Sequence, residues 1–94
     1  MAKVKEHKTV LSLLKSPNRW TQGNIAEDKA GNWVSATSQK ACRWCLLGAI
    51  IRVHGYGTCI PDKLGMPEED LTVWNDKKGR THAEVLKFCR QHKI

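Results

Sequence analysis

The segment Ala41-Cys42-Arg43-Trp44-Cys45-Leu46-Leu47-Gly48-Ala49-Ile50-Ile51 is apolar almost all the way round a helical projection. A helix without a polar face must be covered on every side, so this stretch predicts a central buried helix. Thr37 or Ser38 is placed to cap its start, and Gly55, just after His54, is a natural stop. Arg43 and Arg52 lie nine positions apart. At about 100° per residue they fall on opposite sides of such a helix and leave no broad polar face. Glycine inside a helix costs about 1 kcal/mol relative to alanine, so Gly48 implies that a neighbouring element packs closely there.

A chain of 94 residues is expected to form one compact domain over 1–94, with room for a single core and little elaboration. The start, Met1-Ala2-Lys3-Val4-Lys5-Glu6-His7-Lys8, interleaves charge with apolar residues and does not read as a signal peptide. The longest apolar run, Trp44 to Ile51, is far below the roughly 20 residues of a membrane span. The expectation is a cytoplasmic protein with no membrane association, whose cysteines are reduced. The formal net charge is +7. Lysines and arginines are spread along the chain, whereas Asp62, Glu68, Glu69, Asp70 and Asp76 cluster. A field of that sign favours encounter with acidic protein surfaces or polyanions, but no familiar nucleic-acid module accompanies it.

Further signals mark the remaining elements. Val4, His7, Val10, Leu11 and Leu14 recur at helical spacing, and Ser16-Pro17 ends that run. In Asn24 to Ser35, Ile25 and Ala26 face Trp33 and Val34 across Asp28-Lys29-Ala30-Gly31-Asn32, which predicts a short β-hairpin. Tyr56 to Pro61 reads as loop. Pro67-Glu68-Glu69-Asp70 suits a first helical turn, with proline leading and acids at the positive end of the dipole. Asn75-Asp76 and Gly79 are expected to build a turn. Thr81 and Glu84 form a capping box before a stripe of Val85, Leu86 and Cys89, with Phe88 at its edge. The fold class is therefore α+β: a small, mostly helical domain of three main helices, the central one buried, with a short hairpin.

The order Trp20-Thr21-Gln22-Gly23, Ala41-x-x-Trp44-Cys45-x-x-Gly48-Ala49, Trp74-Asn75-Asp76 and Thr81-x-x-Glu84-Val85-Leu86 resembles a family of small bacterial and bacteriophage proteins of unknown function. The resemblance covers most of the chain. It implies a fold unit and a small accessory protein, with a phage-type modulator or inhibitor as one context, and it supplies no catalytic residues. Cys42 and the basic start of the chain depart from the usual pattern.

Three constellations bear on chemistry. Cys42-x-x-Cys45 and Cys89-x-x-His92 each place two potential zinc ligands a turn apart, but on helices rather than on a knuckle. The set Cys42, Cys45, His54 and Cys59 matches no finger spacing. Cys45 as a nucleophile, with His82 as base and Asn75 or Asp76 orienting it, needs a thiol at a helix amino terminus, whereas the periodicity puts Cys45 inside the helix. Packing accounts for Cys42, Cys45 and Cys89 more directly. Lys77, Lys78 and Arg80, beside the amino terminus of the last helix, are the third constellation and suit an anion. Of the four tryptophans, Trp44 and Trp74 read as core anchors. Trp20 and Trp33 lie near loops, where an exposed ring can stack on a partner.

The expectation is a non-enzymatic binding or regulatory protein without cofactor or metal. It engages an acidic protein surface, a nucleotide or nucleic acid through Lys77, Lys78, Arg80, Lys5, Lys8, Arg19, Trp20 and Trp33. The alternative is a small cysteine-dependent hydrolase or zinc-binding protein centred on Cys45.

Overall fold

In the computed structural model, which describes residues 7–94, the central helix begins later than its apolar run. Arg43–Trp44 is a strand (β2) that pairs antiparallel with Ala26–Glu27 (β1), Ala26 opposite Trp44 and Glu27 opposite Arg43. The helix proper is Leu46–His54. Ordered with α1 (Val10–Leu13), this central helix is α2, and α3 (Ile60–Leu64), α4 (Glu68–Asp76) and α5 (His82–His92) follow. A mostly helical α+β fold with a small antiparallel ladder results.

The physical reason for the late start is visible at Cys45. Its extended backbone ends the strand, its N–H donates to the Ile25 carbonyl at 3.1 Å, and its thiol accepts from the Gly48 N–H at 3.2 Å. Cys45 is thus the N-cap, in place of Thr37 or Ser38. Arg43 lies on the strand and not on the helix. Its neighbours Ala41, Trp44 and the six residues from Leu46 to Ile51 are buried, so the prediction of a covered segment holds while its helical extent shrinks.

Around β1 the predicted hairpin turn forms. The Asp28 N–H donates to the Asn32 carbonyl, and its carboxylate accepts from the Ala30 and Asn32 amides. Those amides hold the Asp28 carboxyl below the usual carboxylate range. Val34 returns its N–H to the Ala26 carbonyl at 3.1 Å, and Trp33 bridges Glu27. Trp20 bridges Trp44 on the opposite side. The lateral order is therefore Trp20, Trp44, Ala26, Val34. This sheet sits against the start of α2.

Other boundaries also move. The leading helix covers only Val10 to Leu13, capped by Thr9, and Val4 lies outside the described residues. Its first amides donate to the Ile94 carbonyl. Ile60 and Pro61, expected to belong to the loop from Tyr56, instead open a helical turn, Ile60–Leu64. Pro67 is the N-cap of α4 rather than its first residue, and Asn75-Asp76 end that helix instead of forming the turn. Thr81 and Glu84 close the expected capping box on α5, and these contacts hold the Glu84 carboxyl below its ordinary range. Phe88, expected at the edge of the stripe, is buried with Val85 and Cys89. Among the described residues no helix is long and apolar enough to cross a membrane.

Gly48 is where Ile25, the residue before β1, presses on α2. A Cβ built there would lie 1.9 Å from the Ile25 carbonyl oxygen, which the Cys45 amide already fixes. Helix propensity alone would have Gly48→Ala stabilise by about 1 kcal/mol. Overpacking against backbone instead predicts a loss of about 2 to 3 kcal/mol. Urea unfolding reads the sign directly: a midpoint at or above that of the parent chain would exclude this contact.

Candidate functional site

Asn75 is the one buried polar side chain of the described core, with no exposed surface. Its Oδ1 accepts from the Trp20 indole Nε1 at 2.7 Å and from the Leu46 amide at 2.9 Å. Its Nδ2 donates to the Thr21 carbonyl at 3.1 Å and to the Asp76 carboxylate at 2.9 Å. Both lone pairs and both hydrogens are used. Asp76 also accepts from the Gly23 amide, and the Gln22 side-chain amide donates to the Asn75 and Lys77 carbonyls. The end of α4, the Trp20 to Gly23 segment and the start of α2 are thereby one unit. A buried amide bonded on all sides holds structure and has no free atom for chemistry.

The Cys45 thiol stands beside this unit. As N-cap it occupies the position at which a helix dipole activates a thiol, contrary to the interior placement expected from periodicity. Burial nevertheless outweighs the amides and pushes its pKa up, with the Asp76 charge adding to the rise. Burial likewise pushes Cys89 up to about 12. Cys42 is half-buried and Cys59 exposed. His82, the base considered for Cys45, is half-buried, and its Nε2 donates to the Leu14 carbonyl at 2.6 Å. That bond places the proton on Nε2. Among the described residues no three His, Cys, Asp or Glu side chains come together as metal ligands.

The residues expected to bind a partner divide into separate groups. Arg80 is held inward: its guanidinium stacks 3.9 Å from the Trp74 ring centroid, its Nε donates to the Trp74 carbonyl at 2.8 Å, and it pairs with Glu84 at 3.3 Å. The Glu84 carboxylate accepts from the Thr81 amide, so a protein carboxylate already occupies part of the expected anion position. Lys77 and Lys78 are exposed, and neither forms an ion pair with a described residue. Arg19 donates to His7 at 3.0 Å, Lys8 is exposed, and Lys5 lies outside the described residues. Trp20 is anchored by Asn75 and packs on the core, whereas Trp33 is 64% exposed at the far edge of the sheet.

Sequence reasoning missed a shallow depression of about 450 Å³ lined by Met66, Asp70, Val73, Trp74, Lys77 and Arg80. Val73 is 71% exposed although it is flanked by half-buried Thr72 and Trp74. The usable sequence signal was an apolar residue on the outward side of a helix otherwise rich in acid. Trp74 forms the wall between this depression and a second one lined by Trp74, Glu84, Lys87, Phe88 and Gln91. Phe88 supports the Trp74 ring at a centroid distance of 4.7 Å.

A family model described as a family of unknown function, DUF6197, matches residues 8–92. The chain belongs to that family. No curated protein and no solved structure matches it. The DUF6197 match embraces every element from α1 to α5, together with the Asn75 unit and the Val73 depression.

Asn75→Ala strands the buried Leu46 amide and the Trp20 indole N–H, with an expected loss of about 3 kcal/mol. Chemical denaturation measures it, and a loss below about 1 kcal/mol would mean the amide is not the tie described. Native alkylation with iodoacetamide at neutral pH is expected to modify Cys59 first. Cys45 and Cys89 should react only as the protein unfolds. Mass spectrometry of the labelled peptides distinguishes the sites, and rapid native labelling of Cys45 would revive its reading as a nucleophile.

Proposed function

We propose that this chain is a non-enzymatic binding protein of the cell interior, acting as a modulator by capturing an acidic segment of a partner protein at the α4 corner. The observation that carries this reading is the depression in which exposed Val73, with Met66 and Trp74, meets the unpaired ammonium of Lys77. An apolar side chain of the partner fits the depression, and acidic residues flanking it meet Lys77, Lys78 and, across Trp74, Lys87. The Arg80 stack keeps the Trp74 ring in place before the partner arrives, which lowers the ordering cost of association. Rim charges of this kind steer encounter and make affinity sensitive to salt. Burial of the Cys45 thiol and the saturated bonding of Asn75 weigh against the alternative of a thiol hydrolase.

The test uses a fluorescein-labelled peptide in which a leucine and a phenylalanine are flanked by glutamates, followed by anisotropy. Binding to the whole chain is expected to weaken as salt is raised, and Val73→Glu is expected to reduce affinity at least about tenfold. The double variant Lys77→Glu/Lys78→Glu should slow association and flatten the salt dependence. No saturable binding at low salt, or full affinity in Val73→Glu, would overturn the reading.

A further inference from the structure

A second surface stands apart from the α4 corner, at the Trp33 edge of the sheet. In a ladder, residues directly opposite one another share a face. Trp33 bridges Glu27 and Glu27 pairs with Arg43, so these three side chains stand together. The alternate residues Ala26 and Trp44 point into the core. Ser35, two positions beyond Trp33, accepts or donates a hydrogen bond at 2.8 Å with the Tyr56 hydroxyl. Trp33 and Tyr56 are each 64% exposed. A β-bridge to Glu27 holds the backbone under one of these rings, and a hydroxyl contact ties down the other.

The segment that follows Trp33 and carries Tyr56 is basic. From Ser35 to Cys59 the chain contains Lys40, Arg43, Arg52 and His54 and no acid. Arg52 is fastened here by bonds from Nη1 to the Ala36 and Ser38 carbonyls. The Glu27 carboxylate is neutralised by Arg43 at 3.2 Å. The remaining acid, Asp28, accepts from its own turn amides and is followed by Lys29.

We propose that this face binds single-stranded nucleic acid, with Trp33 and Tyr56 stacking on unpaired bases while Lys40 and Lys29 meet the phosphates. Exposed aromatic rings on a basic sheet suit a strand whose bases are splayed, because each base offers a π-face irrespective of its identity. A duplex hides those faces and would engage only the cations. An acidic protein segment would use the cations equally well but leave two large aromatic surfaces without a flat partner. The proposal is independent of protein capture at the α4 corner, because it uses other residues and another edge of the sheet.

Fluorescence anisotropy with a labelled oligothymidylate of about 15 nucleotides tests it on the whole chain. Saturable binding is expected, falling steeply between about 50 and 200 mM salt. Trp33→Ala and Tyr56→Ala should each weaken it about tenfold or more. Both side chains are exposed, so circular dichroism and the thermal midpoint should stay at parent values. Lys77→Glu/Lys78→Glu, which reverses two charges at the other surface, serves as the control for general electrostatic attraction and should retain most of the affinity. The proposal is overturned if oligothymidylate does not bind at about 50 mM salt. It is also overturned if the duplex of the same length or a polyglutamate binds as tightly, or if folded Trp33→Ala and Tyr56→Ala keep full affinity.

Discussion

The junction of α2, α4 and the Trp20 to Gly23 segment depends on a single side-chain amide. Asn75 reaches from the last turn of α4 to the first amide of α2 and to the Trp20 indole, and returns two hydrogens to Thr21 and Asp76. Because both groups facing Oδ1 are donors only, the amide can take one orientation, and the three segments are fixed in register. In a low-dielectric interior such a network strengthens when complete and is costly when any member is lost. The short sheet is secured by the same tie, because Trp20 and Thr21 are bonded to Trp44 on one side and to Asn75 on the other.

The apolar patterns and the local polar ones were legible, and the long-range polar contacts were not. Burial of Ala41 and Trp44 to Ile51 and the Thr81 to Glu84 box follow from local chemistry that residue spacing exposes. The start of α2 does not. Ala41 to Trp44 suits helix and buried strand alike, and the choice is made by Ala26-Glu27, which pairs with Arg43-Trp44 across a separation that periodicity does not register. Asn75 read as a turn former because asparagine favours turns, whereas here tertiary bonding overrides that preference. Cys45 was misplaced for the same reason as the helix it caps. Of the residues expected to meet a partner, Lys8, Trp33, Lys77 and Lys78 are exposed. Trp20 and Arg80 are absorbed by contacts made 55 and 6 positions away respectively, which spacing could not reveal.

The structure also separates what composition had blended. A net charge of +7 suggests one basic surface. The lateral order Trp20, Trp44, Ala26, Val34 puts three strand spacings, roughly 14 Å, between the edge tied to Lys77 and the edge that carries Trp33. Two surfaces with different neighbours can thus be altered one at a time.

The contact between the Ile94 carbonyl and the first amides of α1 has a consequence for how the chain reaches this state. Val10, Leu13 and Leu14 enter the core beside α2, yet the cap that finishes their helix is more than eighty positions away along the chain. Contacts of that separation carry a large loop-closure cost and are made late. Without residue 94 in place, α1 can still lay its apolar side on α2, but its first amides lack their partner. Fraying at the C-terminal side of α5 therefore frees the first amides of α1, so the two segments open as one unit although they lie far apart in sequence.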